Sequence, residues 1–493
     1  MKIEVAERSP NLFDIRPVGY VIGLLVACLG GTMLVPFAVD LAVRNGEWAV
    51  FLQSAVLTML SGGLVALSCS SGTTGRLTLQ QTFFLTTSVW VALPIFGALP
   101  FMLAPVDASV TDAFFEAMSG LTTTGSTVFS DLQEMPAGLL LWRSMIQWFG
   151  GIGIVVVAMV FLPELRIGGM QIFRSEAFDT MGKILPRAAE IASQISWIYV
   201  VITFACFLSY RTLGMSGFDA INHALTTVST GGFSTTDASF GAFQGVPEYA
   251  ASLFMVLASL PFVRYIQLIA GTAQPFFRDS QIRAYLGIIL AATLVLSIFQ
   301  VTVDERGFEE SFREAIFNVT SIISGTGYAS VNYQLWGSFA MVCFFCLGLV
   351  GGCAGSTSCS VKVFRYQILI RAVVTQIRRI HSPRGVFALR YDDRRVGDDV
   401  LSSVMAFFVL FIVSLGVLSV LLSLTGLDLV TCVTGAATAI GNVGPGLGPI
   451  IGPSGYFGPL NDTAKWLLIA GMLVGRLELM AVYVIFTRAF WQD

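Results

Sequence analysis

Residues 111–126 read TDAFFEAMSGLTTTGS, and this pattern, which returns three more times along the chain, decides the fold. In each copy a short, helix-like apolar segment leads into a run of Thr, Ser and Gly. Crossing a bilayer takes roughly 20 apolar residues, so these segments are too short to span. The other copies read GFDAINHALTTVSTGGF at 217–233, REAIFNVTSIISGTGY at 313–328 and LDLVTCVTGAATAIGNVGPG at 427–446. The sequence therefore predicts four half-helices, each followed by a glycine loop.

The spacing of the copies identifies an internal repeat. Their anchor glycines, 125, 231, 327 and 444, lie 106, 96 and 117 residues apart, and recurrence of one unit along a chain is typical of a repeat architecture. Long apolar segments flank each copy, so that the unit is span, half-helix, glycine loop, span. We predict two extra N-terminal spans followed by four repeats; the boundaries are 1–75 for the extra spans and 76–190, 191–278, 279–395 and 396–493 for the repeats.

The composition excludes a water-soluble protein. Hydrophobic residues make up 55% of the 493 and charged residues only 12%, which is about half the charged fraction of a soluble protein. So few charges could not cover a soluble surface, and we predict an all-α integral membrane protein. The ten predicted spans are 18–40, 49–71, 79–103, 139–162, 195–214, 249–271, 283–301, 336–375, 400–424 and 464–488.

The distribution of charge orients these spans. Basic residues crowd the connections at 163–190 and 362–395, and the positive-inside rule places both connections in the cytoplasm. With ten spans, the N and C termini are then cytoplasmic as well. The connections on the opposite side are mainly acidic, which raises the local concentration of cations.

The glycine loops have the composition that a cation pore requires. A dehydrated ion must regain the oxygen ligands that water gave it, and rings of backbone carbonyls can supply them. Glycine permits the unusual dihedrals that turn successive carbonyls toward one axis. Each half-helix directs its negative C-terminal end at its loop, and irregular backbone at membrane depth is tolerated where it lines a cavity. The four loops therefore predict a pore for a monovalent cation.

Three further stretches, together with the loops, carry a resemblance to a known family. They are WRSMIQWFGGIGIVV at 142–156, FLPELRIGGMQIFRSE at 161–176 and GRLELMAVYVIF at 475–486. The chain resembles the Trk/Ktr/HKT superfamily of potassium transporters, most closely the TrkH/TrkG branch, over nearly its whole length. The resemblance implies four tandem M1–P-loop–M2 repeats in a pseudo-fourfold arrangement. It also implies low-affinity, Trk-type potassium uptake across the bacterial inner membrane, with K⁺ as the transported ion and no organic cofactor.

The resemblance also implies which residues form the selectivity filter. They are Thr123, Thr124, Gly125, Ser229, Thr230, Gly231, Gly325, Thr326, Gly327, Asn442, Val443 and Gly444. In plant relatives serine at the first glycine position accompanies sodium preference, so Gly125 implies potassium. Two departures stand out. Ser126 replaces the usual alanine, which we expect to matter little, and Ser324-Gly325-Thr326 replaces a more Thr-rich triplet, which leaves the hydroxyl ligands of the third loop open.

The eighth predicted span contains a candidate gate. Its apolar part, 336–350, is too short to cross and breaks into GGCAGSTSCS at 351–360. This polar stretch should face a cavity, because lipid would leave its backbone unsatisfied. The resemblance implies an intramembrane loop that obstructs the pore, and we predict that it is the gate; the alternative is a glycine-kinked helix that fills space. The predicted gate residues are Gly351, Gly352, Gly355, Ser356, Thr357, Lys362 and Arg476.

Three other polar residues carry expectations of their own. Arg476, in mid-span, is expected to repel cations in the pore or to bond the carbonyls of the gate loop; the alternative is a structural pair with Glu478 or another carboxylate. Arg143 is predicted to hold the first glycine loop. His223 is expected to pack or hydrogen-bond rather than relay protons.

The alternatives are a symporter and an enzyme. The chain has no Walker motif and so hydrolyses no nucleotide itself. An alternating-access symporter predicts two halves with broken helices in matching positions, whereas we predict four repeats and one clearly broken span. Coupling to sodium or protons within the family pore stays open. A membrane enzyme would need clustered catalytic groups, which the nearly charge-free spans do not offer. The resemblance implies a homodimer that binds a cytosolic ring of Rossmann-type, TrkA-like nucleotide-binding subunits.

Overall fold

The computed structural model describes residues 14–72, 77–157, 169–170, 188–303, 305–392 and 394–492, and these are almost entirely helical. One hairpin joins β1 (Arg390–Tyr391) to β2 (Arg394–Arg395). The helices are α1 Arg16–Thr32, α2 Leu34–Val43, α3 Trp48–Cys69, α4 Leu79–Gly97, α5 Leu99–Leu103, α6 Val110–Leu121, α7 Ala137–Val156, α8 Ala188–Thr212, α9 Gly217–Val228, α10 Val246–Ala258, α11 Phe262–Ile269, α12 Gln274–Arg278, α13 Ser280–Val303, α14 Phe308–Ser324, α15 Ser338–Val350, α16 Val363–His381, α17 Asp398–Ser423, α18 Leu429–Gly441, α19 Asp462–Arg476, α20 Met480–Ile485 and α21 Arg488–Gln492. The all-α membrane fold predicted from the sequence is confirmed.

Most of the predicted basic connection at 163–190 lies outside the described residues. The same holds for the stretch 161–176 apart from Gly169 and Met170, for residues 158–162 at the end of the fourth predicted span, and for the N-terminal residues 1–13.

Within the described ranges, seven helical segments are long and apolar enough to cross a membrane, and a bent pair makes an eighth. The seven are 16–43, 48–69, 79–103, 137–156, 190–212, 280–303 and 398–423. The first two are the predicted N-terminal pair. Gly23 and Gly62 face each other where these two helices cross. A methyl group on either glycine would press against the backbone of the other helix, so the absence of a side chain allows the close packing.

Within the described ranges, three of the ten predicted spans are interrupted by three or more non-helical residues. The bent pair α10 and α11 meets at 89° around Pro261, which has no N–H to continue a helix. The span predicted at 336–375 is interrupted between α15 and α16, and the span at 464–488 is interrupted between α19 and α20. In the latter, Glu478 and Leu479 adopt left-handed φ values of 56° and 54°. The expectation of one broken span is therefore wrong, and each break falls in the span that follows a glycine loop.

The four predicted half-helices are α6, α9, α14 and α18. Three of them begin at a side-chain cap, in which Ser109, Ser216 or Asp428 accepts a hydrogen bond from a backbone N–H in the first turn. Such caps satisfy N–H groups that have no partner within the helix. Each half-helix ends at a glycine loop, so the negative end of its dipole lies beside that loop.

Candidate functional site

Loops 1 to 4 are residues 122–128, 229–235, 325–331 and 442–448, and loops 1, 2 and 4 begin with the same pair of backbone hydrogen bonds. In loop 1 the N–H of Thr123 bonds the carbonyl three residues back, and the N–H of Thr124 bonds the carbonyl five residues back, both at 2.9 Å. Asn442 and Val443 repeat this pair in loop 4, at 3.4 and 3.0 Å. Loop 3 shares only the first bond, from the Gly325 N–H to the carbonyl three residues back, at 3.1 Å; its next bond runs from the Gly327 N–H to the carbonyl six residues back, also at 3.1 Å. The first bond therefore aligns the four loops without reference to side chains.

Loop 2 is offset by one residue from its sequence alignment. In loop 2 the Thr230 N–H bonds the carbonyl three residues back, at 3.1 Å, and the Gly231 N–H bonds the carbonyl five residues back, at 2.9 Å. Gly232 therefore takes the position of Gly125, and Gly231 takes that of Thr124. The sequence aligned Gly231 with Gly125 because two glycines stand side by side, and only the backbone bonds distinguish them.

One position adopts the left-handed conformation in every loop. Its residues are Thr123, Thr230, Gly325 and Asn442, with φ values of 52°, 50°, 82° and 50°. This conformation is uncommon outside glycine, so its fourfold recurrence marks a shared constraint. Among the residues that the structure describes, none donates a hydrogen bond to the carbonyl oxygens of these four. These oxygens are therefore free to accept another ligand.

The four loops touch in a closed ring. A methyl group built on the glycine of one loop would meet the backbone of the next. The pairs are Gly125 with Gly231, Gly232 with Thr326, Gly327 with Gly444, and Gly444 with Thr124. The added methyl carbon would lie 2.7 Å from the Gly444 nitrogen in the third pair and 3.1 Å from the Thr124 carbonyl oxygen in the fourth. The order 1, 2, 3, 4 and back to 1 is the order expected of four repeats around one axis.

A cavity of about 280 Å³ opens on one side of this ring, lined mainly by residues that follow the loops in sequence. One glycine from each loop lines it: Gly125, Gly232, Gly327 and Gly444. The other predicted filter residues, Thr123, Thr124, Ser229, Thr230, Gly231, Gly325, Thr326, Asn442 and Val443, are all buried. The structure thus brings the predicted filter residues together, although they lie up to 321 positions apart (123 to 444) in the sequence.

Each half-helix also holds its loop from behind. A side chain of the half-helix bonds a residue two or three positions past the lining glycine. The pairs are Glu116 with Val128 N (2.9 Å), His223 Nε2 with Ser234 Oγ (3.1 Å), Asn318 with Ser330 N (3.3 Å) and Thr434 with Leu447 N (3.0 Å). The other ring nitrogen of His223 lies 2.9 Å from the Asp219 carbonyl oxygen. Both nitrogens are therefore engaged, and His223 is a structural residue as expected.

Helix α7 supplies two more supports, Arg143 and Gln147. Arg143 is buried and pairs with Glu116 at 2.7 Å; it also donates to the Ser234 carbonyl at 2.9 Å and to Thr127 Oγ1 at 3.1 Å. Gln147 donates to the Gly231 carbonyl at 2.6 Å and accepts from the N–H of residue 233 at 3.0 Å. Arg143 therefore holds loop 1, as predicted, and also loop 2. Sequence reasoning missed Glu116 and Gln147.

The candidate gate loop, residues 351–360, is buried and bonded to the kink between α10 and α11. The Phe262 N–H donates to the Gly355 carbonyl at 2.9 Å, and the Cys353 N–H donates to the Ser259 carbonyl at 3.1 Å. Thr357 Oγ1 donates to the carbonyl of Ala258 at 3.0 Å. The backbone groups exposed at the α10–α11 kink and those of the candidate gate loop therefore satisfy one another. A kinked helix that only filled space would not need these bonds.

The same loop lies against three glycine loops. Thr357 meets Thr230, with 3.2 Å between the hydroxyl oxygens. The Ser358 hydroxyl bonds the carbonyl of Ser324, the last residue of α14, and a methyl group on Gly325 of loop 3 would lie 3.6 Å from the Cys359 nitrogen. The Cys359 sulfur lies 4.0 Å from Thr123 Oγ1. The predicted gate residues Gly351, Gly352, Gly355, Ser356 and Thr357 are all buried in this contact.

The charged residues near the candidate gate loop do not include the predicted pair of Arg476 with Glu478. Glu478 binds Lys362 at 2.9 Å and also contacts Arg365. Arg476 instead contacts the sulfur of Cys359 and donates to the Gly150 carbonyl at 3.0 Å. Pairing of Arg476 with Glu478 is therefore wrong, because Glu478 already balances two cations. Arg476 reaches the gate loop through a side chain and not through the loop's carbonyls.

Comparisons with known proteins agree over almost the whole chain. Residues 48–493 match the family model described as TrkH, a cation transport protein. The Trk system potassium uptake protein TrkI of Halomonas elongata is 44% identical over 84% of each chain. TrkH of Escherichia coli K12 is 34% identical over 97% of this chain and 99% of its own. The crystal structure of the potassium transporter TrkH from Vibrio parahaemolyticus has a TM-score of 0.90 and 32% identity, and covers 97% of this chain and 100% of its own.

Proposed function

This chain belongs to the TrkH family of cation transport proteins, and from that premise we propose that its four glycine loops form the selectivity filter for potassium. The chain is a multi-pass potassium transporter of the Trk type and not an enzyme. One observation carries the filter proposal: four loops form a closed ring, one glycine of each lines the same cavity, and the same left-handed position in each leaves its carbonyl oxygen without a hydrogen bond.

The mechanism follows from these oxygens. A potassium ion entering the cavity exchanges hydration water for carbonyls at successive levels of the ring. The half-helix dipoles favour the positive charge there. The proposed ligand positions are Thr123, Thr124 and Gly125 in loop 1, Thr230, Gly231 and Gly232 in loop 2, Gly325, Thr326 and Gly327 in loop 3, and Asn442, Val443 and Gly444 in loop 4. Ser229, which the sequence alignment included, lies one position before this set.

Residues 351–360 are the proposed gate of this pore. The loop contacts loops 1, 2 and 3 and is held by the backbone of the α10–α11 kink. Lys362 and Arg476 flank it, and a positive charge beside the path of a cation opposes its passage. Movement of the loop would both open the path and displace these charges.

The regulatory partners are also a proposal. The Trk-type relatives and the positive-inside rule together support an inner-membrane protein with cytoplasmic termini. Helix α16 ends in basic residues and exposes Ile370, Ile377 and Ile380, which suits docking of an acidic cytosolic partner. We expect a homodimer and a nucleotide-binding subunit to complete the system.

The filter proposal is tested by Gly125→Ser in liposomes. Gly125 has φ +84°, and a Cβ there would overlap the Gly231 carbonyl, so a serine must distort the ring. We expect the potassium-to-sodium permeability ratio, read from reversal potentials in mixed salts, to fall roughly tenfold, which corresponds to about 1.4 kcal/mol.

The matched control is Gly214→Ser. Gly214 also has a positive φ, +98°, but has open space around it, so this variant carries the same backbone strain away from the ring. An unchanged permeability ratio in the Gly125 variant, or an equal loss in the control, would contradict the filter assignment. A flux that requires a sodium or proton gradient would instead favour coupled symport through the same loops.

A further inference from the structure

Ser126 links loop 1 to loop 4 through its side chain. Its hydroxyl donates a hydrogen bond to the Gly444 carbonyl at 2.8 Å, and the residue is 2% exposed. The carbonyl of Ser126 in turn accepts a bond from Ser119 Oγ, on half-helix α6, at 2.6 Å. The donor is thus fixed from behind by its own half-helix, and it acts on a carbonyl of a loop 318 positions further along the chain.

The residues equivalent to Ser126 in loops 2, 3 and 4 are Phe233, Tyr328 and Pro445. Each also contacts the preceding repeat of the ring, but through a different kind of contact. The Phe233 ring lies 4.3 Å from the guanidinium carbon of Arg143. The Tyr328 hydroxyl lies 2.5 Å from Thr226 Oγ1. Pro445 abuts Gly327, where its Cδ would lie 2.8 Å from an added methyl group. Of these four residues, Ser126 alone bonds a carbonyl at a lining glycine.

This bond constrains an oxygen of the proposed filter. A carbonyl that accepts a fixed hydroxyl donor cannot move freely toward the axis, and part of its negative charge is directed at the donor. Both effects weaken its ability to close around a smaller ion, and ring geometry and carbonyl field strength are the quantities that set selectivity. Sodium, the smaller ion, loses more from such a constraint than potassium does.

We propose that Ser126 is a specificity-determining positioning residue, which holds the Gly444 carbonyl and thereby raises discrimination against sodium. The inference rests on the proposed filter. It reverses the expectation from the sequence that serine in place of alanine matters little. The alternative role is purely structural: the bond would stabilise the fold without affecting which ion passes.

Three variants at this position separate the roles. Ser126→Ala removes the donor, Ser126→Thr keeps it, and Ser126→Cys offers a weaker one. A typical hydrogen bond contributes about 0.5–1.5 kcal/mol, so we expect the alanine variant to lower the potassium-to-sodium permeability ratio about two- to tenfold. The threonine variant should keep the wild-type ratio, and the cysteine variant should fall between.

Ser252→Ala is the matched control, because it removes a buried serine hydroxyl that bonds only its own helix, at the Glu248 carbonyl. It should shift thermal stability without changing the permeability ratio. A wild-type ratio in Ser126→Ala beside a lowered ratio in Gly125→Ser would overturn the Ser126 proposal and leave the filter standing. Wild-type ratios in both variants would refute the filter itself. If the alanine variant fails to fold, a wild-type ratio in the cysteine variant overturns the proposal.

Discussion

At the scale of single residues, the ring of glycine loops is supported by a buried ion pair between Glu116 and Arg143. Glu116 and Arg143 are 0% and 1% exposed and meet at 2.7 Å. Between them they bond Thr127, the N–H of Val128 and the Ser234 carbonyl. Each buried charge is compensated by the other, so that loss of either side chain would leave an uncompensated charge in the interior.

Removing one partner should therefore be costly. Glu116→Gln leaves the Arg143 guanidinium buried without its counter-charge, and we expect a loss of about 3–5 kcal/mol in the free energy of unfolding. Thermal unfolding of the detergent-solubilised protein measures it. The control is Asp14→Asn, which breaks the exposed pair with Arg16 and should cost well under 1 kcal/mol. A stable Glu116→Gln protein would show that Arg143 is not held in the way described.

At the scale of elements, three of the four half-helices are held at both ends. Their C-terminal ends are fixed by the loop bonds, and their N termini carry caps. Asp428 caps α18, where it accepts from the Thr431 N–H at 3.1 Å. The side chain of Thr431, and then its backbone N–H, hold the pKa of Asp428 below its usual range.

This cap predicts a pH dependence with a defined sign. A carboxyl whose pKa is lower in the folded state stabilises the fold above its unfolded pKa, about 3.9, and the contribution disappears as pH falls through the lowered value. Asp428→Ala should therefore lower thermal stability at pH 7, by about 0.5–2 kcal/mol, and differ less from wild type near pH 3. A difference that stays constant with pH would contradict the assignment. Glu134→Ala, which removes an exposed carboxylate from an outward connection, is the control.

At the scale of the whole molecule, the breaks in the spans belong together. The proposed gate loop, 351–360, interrupts the third predicted repeat and bonds the kink in the second. Arg476, just before the break in the fourth predicted repeat, contacts the Cys359 sulfur. No single repeat contains the arrangement. The proposed gate is therefore a property of the assembled repeats.

Deleting residues 353–359 should remove this obstruction and raise the passive flux of rubidium into liposomes several-fold. Because the deletion also removes the partners of the α10–α11 kink, Thr357→Ala serves as a milder variant. It loses only the bonds to Ala258 and Thr230 and should raise flux less. Thr375→Ala, whose hydroxyl bonds only the Arg371 carbonyl of its own helix, is the control. Unchanged flux in both loop variants would show that the segment is not the gate.

What the sequence determined by itself is the set of local features. Apolar length identified the spans, and the fourfold recurrence of half-helix and glycine run identified the repeat, because both signals come from neighbouring residues. The tertiary structure decided what depends on residues far apart. It placed Gly232 rather than Gly231 at the position equivalent to Gly125 and interrupted three predicted spans instead of one. It also directed Glu478 to Lys362 and Arg365 and bonded Ser126 to loop 4. Backbone hydrogen bonds and buried charges choose partners by position in space, which distance along the chain does not reveal.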